Sequence, residues 1–207
     1  MNLIVHPTYF SPVIQYVAMA KAGKIQFEIF DNYQKQTYRN RCYIYGANGI
    51  QMLTVPVLHM RGSGHQKTKD IRIDNSFSWQ NQHLKSIQIA YRSSPFFEYY
   101  EDELLPLFQK KFKFLLDLDL AADEIISELL NLEITKEKTR SYSLEYPYGN
   151  DFRFLVNAKT KKDFALEKYR QVFSDKHGFI PNLSILDLLF NEGTNALTYL
   201  ENQKNSV

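Results

Sequence analysis

The sequence holds a single cysteine, Cys42. No disulfide can form within the chain, which fits a reducing compartment. The opening stretch MNLIVHPTYF has neither a charged n-region nor a long apolar run, so it does not read as a signal peptide. Nowhere do apolar residues run on for the roughly 18 positions of a membrane span. These absences give the expectation of a cytoplasmic protein without a membrane span. Glycine and proline are scarce, 8 and 7 in 207 residues, which excludes a low-complexity or disordered chain. The histidines, His6, His59, His65, His83 and His177, form no H-x-x-x-H pair, and there is no cysteine pair. No metal site and no resident cofactor are therefore expected. Walker A, G-x-G-x-x-G and G-x-S-x-G motifs are missing too, which removes the most recognisable nucleotide-binding and hydrolase signatures. A net charge of +2 is too small to point to nucleic acid.

What is present is a large core and many aromatics. Hydrophobic residues make up 44%, with 15 Phe and 14 Tyr. Tyr packs its ring and still presents a hydroxyl, which suits polar ligands or a contact surface. Charge is unevenly placed. Between Lys35 and Arg72 the only acidic residue is Asp70, whereas Glu98 to Glu137 is dominated by carboxylates. Two solvated surfaces of opposite sign explain this, as does a basic pocket for an anionic ligand.

The first 30 residues read as β-α-β, the unit of a parallel sheet. NLIVH is a strand ending at His6, VIQYVAMAKAG has helical spacing after Pro12, and KIQFEIF alternates. Ser11 is the expected N-cap and Pro12 the first helical residue. RCYIYG and IQMLTVPV form a hairpin whose turn contains Asn48-Gly49, and KDIRID is a further candidate strand. From Ser76 the pattern is helical, with breaks expected near Pro106 and at Asp117 to Asp119. Residues 133–170 are polar and irregular, with short strands as one reading, and the chain turns helical again from Ser184. The expected fold is α/β or α+β, with a mixed N-terminal sheet that starts parallel and a helical C-terminal half. No repeat or linker divides it. The expectation is a single domain over 1–207, sheet-rich over 1–75, helical over 76–132, and irregular then helical over 133–207.

Several polar residues stand out against this frame. His6 ends the first strand, where α/β folds place ligands. It also precedes a helix start whose free N–H groups attract anions. If YRNRCYIYG is strand throughout, Arg39 and Arg41 point to one face and Asn40 to the other, so that two guanidinium groups can clamp an anion. Trp79 and His83 lie one helical turn apart, which suits core packing or a sugar platform beside a base. Ser184, Asp187 and Asn191 share one face of the last amphipathic stretch. Capping explains Ser184 with Asp187, as does a site wall. Cys42 reads as core filler. His6, Arg41, His83 and Asp187 are expected to converge on one cleft.

In order along the chain, HPTYFSP (His6 to Pro12), YRNR (Tyr38 to Arg41), NGIQMLTVPV (Asn48 to Val57), Trp79 with His83, SPFF after Tyr91, and LSILDLLFNEG (Leu183 to Gly193) resemble the motifs of the WbqC-like family. The resemblance spans nearly the whole chain. The Gln that usually follows the first His is replaced here by Pro7, and the region between Leu132 and Tyr169 is short. The resemblance implies a bacterial protein of surface polysaccharide (O-antigen) biosynthesis, with an acyl or aminoacyl (glycine) transferase as one role. His6, His83 and Asp187 would then be catalytic. Tyr9, Arg39, Asn40, Arg41, Trp79, Ser184 and Asn191 would bind substrate. The partner would be a small anionic metabolite or sugar precursor, with acyl-CoA, an aminoacyl donor or a nucleotide-linked sugar as donor. A non-catalytic binding or scaffold protein of the same pathway is the alternative. Nucleotidyl transfer ranks third, since a second H-x-G-H-like signature is missing.

Overall fold

The computed structural model describes residues 2–58, 65–146, 151–159 and 164–203. Three short strands, β1 (Asn2–Val5), β2 (Lys24–Phe27) and β5 (Thr135–Lys138), form a parallel sheet in the order β1-β2-β5. The β-α-β start is as expected, with helix α1 (Val13–Ala20) between the first two strands. Leu3 pairs with Ile25 and Val5 with Phe27, and all four side chains are buried. On its other side β1 forms a parallel bridge from Ile4 to Asp151. The fourth segment in sequence thus lies beside the first, and the strand order reverses between β1 and Asp151. In open α/β sheets such a reversal leaves a crevice at the carboxyl ends of the strands, where ligands bind.

Helix α1 departs from the expectation at its start. Pro12, not Ser11, is the N-cap residue, and its side chain caps nothing. The first amides are held from afar, Val13 N–H by the Leu183 carbonyl at 2.9 Å and Ile14 N–H by Asn182 Oδ1 at 2.9 Å. A proline has no side-chain acceptor, so the C-terminal segment supplies one. These amides are therefore not open to an anion.

Strands β3 (Arg41–Gly46) and β4 (Gly49–Thr54) form the expected antiparallel hairpin. Its loop is Ala47-Asn48, with Gly49 already paired to Gly46 and holding the positive φ of 99°. KDIRID is not a strand. Thr68–Asp70 form a single 3-10 turn, and only isolated bridges follow, Arg72 with Phe114 and Val57 with Ile73.

The helical part comprises α2 (Trp79–Tyr91), α3 (Phe97–Gln109) and α4 (Leu115–Leu129). The break expected near Pro106 falls just past it, at Lys110 to Phe114, and the one expected at Asp117 to Asp119 does not occur. Pro106 lies in the last turn of α3, which ends three residues later at Gln109, and α4 runs straight through Asp117 and Asp119. Burying Leu115, Leu116, Leu118, Ala122 and Ile126 outweighs the weak helix propensity of the two Asp. No helix among the described residues is long and apolar enough to cross a membrane.

A short helix α5 (Ser174–His177) precedes α6 (Ile185–Glu192) and α7 (Ala196–Asn202), both of which pack on α1. Ser184 is the N-cap of α6, accepting from Leu186 N–H at 3.3 Å and donating to the Phe10 carbonyl at 3.0 Å. Ser184→Ala should therefore cost about 1 kcal/mol in urea unfolding. A cost near zero would show that neither bond contributes. Gly193 closes α6 at φ 55°, and a Cβ there would lie 2.5 Å from the Phe96 ring. The glycine of FNEG is required for packing.

Candidate functional site at the strand ends

The carboxyl ends of the parallel strands carry a buried polar network. His6 directly follows β1, and Glu28 directly follows β2. Arg39 Nη2 donates to Asp31 Oδ2 at 2.6 Å and lies 3.0 Å from His6 Nε2. His6 Nδ1 lies 3.3 Å from the Glu28 carbonyl, and His6 Nε2 is 3.4 Å from Asp31 Oδ2. These contacts fix the tautomer. Nδ1–H donates to the Glu28 carbonyl, and Nε2 accepts from Arg39. Burial pushes the His6 pKa well below the usual imidazole value, and the Arg39 charge adds to this, so the ring stays neutral. Asp151 and Arg153, across the order reversal, also act electrostatically on His6. They pair with each other, Arg153 Nη2 to Asp151 Oδ2 at 2.5 Å.

Further layers hold this network in place. Thr68 donates to Asp31 Oδ1 at 2.6 Å. Glu28 is wholly buried and accepts from Phe30 N–H, Thr139 and Tyr146. Behind Arg39 lies Asp119, 1% exposed, with Oδ1 unbonded among the described residues. Burial raises its pKa well above the carboxylate range, with Arg39 opposing. Arg39 itself is 1% exposed, and its Nε has no partner among the described residues. The accessible side of the network is at Asp151, one third exposed, with Arg153 beside it.

The structure distributes most of the expected site residues over three sets that share no side-chain hydrogen bond among the described residues. Only His6 and Arg39 belong to the strand-end network. Arg39 and Asn40 precede β3 and are not strand residues, so the two arginines do not alternate along one strand. Asn40 is turned to the Val55 carbonyl, and Arg41 lies on the hairpin, its Nη1 3.5 Å from Met52 Sδ. The second set is Tyr9, Trp79 and His83. Tyr9 O–H lies 2.9 Å from His83 Nδ1, the Thr54 backbone takes a further imidazole bond, and the Trp79 ring packs edge-on. Burial pushes the His83 pKa down to about 4.

The third set surrounds Asp187. Its Oδ1 accepts from Tyr91 at 3.0 Å, and its Oδ2 from Tyr169 at 2.6 Å and Gln171 at 2.8 Å. Burial raises this carboxyl to about 6 even against those three donors. Asp187 does not close a capping box, because the Ser184 N–H goes to the Tyr43 carbonyl. Asn191 donates back to the Asp187 carbonyl at 2.7 Å and borders a cavity of about 420 Å³ with Ser93 and Arg170. Cys42 is buried, and burial pushes its thiol far up.

A cavity of about 920 Å³ lies between α4 and β5, apart from this network. Its wall is a self-contained set in which Asp123 accepts from Lys136 at 2.5 Å and from Tyr16 at 3.1 Å, while Lys136 also donates to Ser127. Its rim mixes carboxylates with Lys136, Lys138 and Arg140, and burial raises the Asp123 carboxyl above its ordinary value. The order reversal and the neutral His6 make the strand ends the stronger candidate.

Glu28, Asp31, Asp119, Asp151 and Arg153 were not legible as site residues. Glu28 and Asp31 did have a signal, being the acidic residues just past the second strand. Asp151 and Arg153 fall in an aperiodic stretch, and Asp119 looks like part of a solvated acidic run.

The WbqC-like protein family matches this chain over residues 7–159 and 160–199. A protein of Mycobacterium tuberculosis, the uncharacterised protein Rv1507c, is 28% identical over 203 residues, covering 84% of this chain and 87% of that protein. No solved structure matches.

Proposed function

We propose that the chain, which belongs to the WbqC-like protein family, is a group-transfer enzyme that modifies a sugar precursor of a bacterial surface polysaccharide. The donor is an anionic activated acyl or aminoacyl compound. One observation carries the reading, a neutral imidazole beside a buried guanidinium at the carboxyl end of β1, where the strand order reverses. An anionic donor entering from the Asp151 and Arg153 side meets Arg39 and competes with Asp31 and His6 for its N–H groups. Once Arg39 turns to the donor, His6 Nε2 regains its lone pair. It then takes the proton from the acceptor hydroxyl or amine as that group bonds to the acyl carbon, and the donor's leaving group departs with its bonding electrons. His83 and Asp187 have no place in this step, because each belongs to a different hydrogen-bonded set, with Tyr9 and with Tyr91, Tyr169 and Gln171. The family resemblance supports the polysaccharide setting.

A thermal-shift screen against acyl-CoA, aminoacyl donors and nucleotide-linked sugars tests the reading, since a ligand of the native state raises Tm. One donor class should raise Tm by several degrees, and Arg153→Gln should reduce that shift. His6→Gln should retain binding and lose at least about a hundredfold in kcat. Absence of a shift with every class ends the proposal. Binding without turnover on any acceptor favours a scaffold role.

A further inference from the structure

The outward face of the β3–β4 hairpin takes no part in the step above. Strand alternation sends Cys42, Ile44 and Leu53 into the core and Arg41, Tyr43, Met52 and Thr54 to the other face. The register sets Thr54 opposite Arg41 and Met52 opposite Tyr43. The Arg41 guanidinium leans along the strand toward Met52. Among the described residues no carboxylate pairs with it. Its Nε is buried without a hydrogen-bond partner among the described residues, and so is Thr54 Oγ1 directly opposite. Two neighbouring polar groups are thus left with unused hydrogen-bonding capacity, which an incoming acceptor can take up once the side chains turn to it.

Tyr43, two residues along the same face from Arg41, lines a cavity of about 280 Å³ with Tyr38, Ile50, Phe164, Pro181 and Asn182. The Tyr38 ring stands edge-on to Tyr43, with centroids 5.9 Å apart at 88°. Neither tyrosine hydroxyl bonds to a described residue. Ile50 and Met52 are 60% and 50% exposed, so the apolar surface here is open. Asn182 holds its wall in place through the bond to Ile14, with a backbone φ of 56°. The YRNR, NGIQMLT and PNLS stretches, separate in sequence, meet here.

We propose that this face is a binding site for a phosphorylated ring compound. The ring packs against Tyr38 and Tyr43, and the phosphate accepts from Arg41 and Thr54. Residues two apart on a strand are about 7 Å apart, the reach of a ring and its attached phosphate. Donors from two neighbouring strands suit a tetrahedral oxyanion, whose several oxygens accept from different directions. A planar carboxylate is satisfied by one guanidinium edge alone. The site is separate from the strand-end network and stands whether or not that network transfers a group.

Calorimetric titration with uridine monophosphate, glucose 1-phosphate, inorganic phosphate and uridine tests this. At least one ring phosphate should bind about tenfold or more tightly than inorganic phosphate or uridine. Arg41→Gln and Tyr43→Leu should each weaken it at least about tenfold, and Thr54→Val severalfold. Tyr43→Phe, which keeps the ring, should retain binding, and circular dichroism confirms that each variant is folded. Preference for the nucleotide or for the sugar phosphate identifies which compound supplies the ring. The proposal is overturned if neither ring phosphate binds, if inorganic phosphate binds as tightly, or if folded Arg41→Gln and Tyr43→Leu proteins bind like the parent.

Discussion

Arg39→Ala should lower the unfolding free energy by about 3–5 kcal/mol, the usual cost of removing one partner of a buried ion pair. Arg39 is 1% exposed, and its Nη2 serves both Asp31 and His6. Without it the Asp31 carboxylate, whose side chain is 12% exposed, keeps only the Thr68 hydroxyl as a donor among the described residues, and His6 Nε2 loses its donor. Lysine is no substitute, because one ammonium cannot reproduce the fork that meets Thr37, Asp31 and His6 together. Most of the expected cost is the stranded carboxylate. The double variant Arg39→Ala with Asp31→Ala should therefore lose clearly less than the two single losses added. Urea unfolding of the four proteins measures this. Additive losses would mean that the two residues act independently, and a single-variant cost under about 1 kcal/mol would remove Arg39 as the keystone of the strand ends.

The same residue shows where sequence reading reached its limit. The β-α-β start was legible because Leu3, Val5, Ile25 and Phe27 alternate and the intervening helix has its own period. The α2 face was legible too, since Trp79, His83 and Ile87 recur every four residues and all are buried. Arg39 was singled out for its charge but placed on a strand, whereas the chain straightens into β3 only at Arg41. Its actual partner, Asp31, lies eight residues back in a segment with no period. Local patterns report which face is buried. They do not report which distant polar group a buried polar group has found.

Asp187 makes the same point more strongly. Its neighbours Ser184 and Asn191 suggested a polar helix face at a site, yet the carboxylate is 0% exposed and pinned by Tyr91, Tyr169 and Gln171. Nothing in LSILDLLFNEG announces two tyrosines from elsewhere in the chain. Their hydroxyls are what allow an acid to occupy an otherwise apolar helix stripe.

That burial leads to a pH experiment with two variants of opposite sign. Asp187 has its pKa raised by burial from 3.8 to about 6. Between those values the native state holds a proton that the unfolded chain has lost, so this group's contribution to stability falls as pH rises. Roughly 2 pKa units correspond to about 3 kcal/mol. His83 has its pKa lowered by burial from 6.5 to about 4. Between those values the unfolded chain holds the extra proton, so its contribution rises with pH, again by about 3 kcal/mol. The two effects nearly cancel in the parent protein, and each variant should expose one of them. Relative to the parent, Asp187→Asn should be least stable near pH 4 and recover by about 3 kcal/mol by pH 6. Relative to the parent, His83→Gln should lose ground by about 3 kcal/mol from pH 4 to pH 6.5. Taking differences from the parent at each pH removes the contributions of His6, Asp119 and Asp123, which both proteins share. Urea unfolding at half-unit pH steps gives both curves. Two difference curves of the same sign would show that burial does not set these ionisations, and flat curves would mean that both groups are solvated in the native protein.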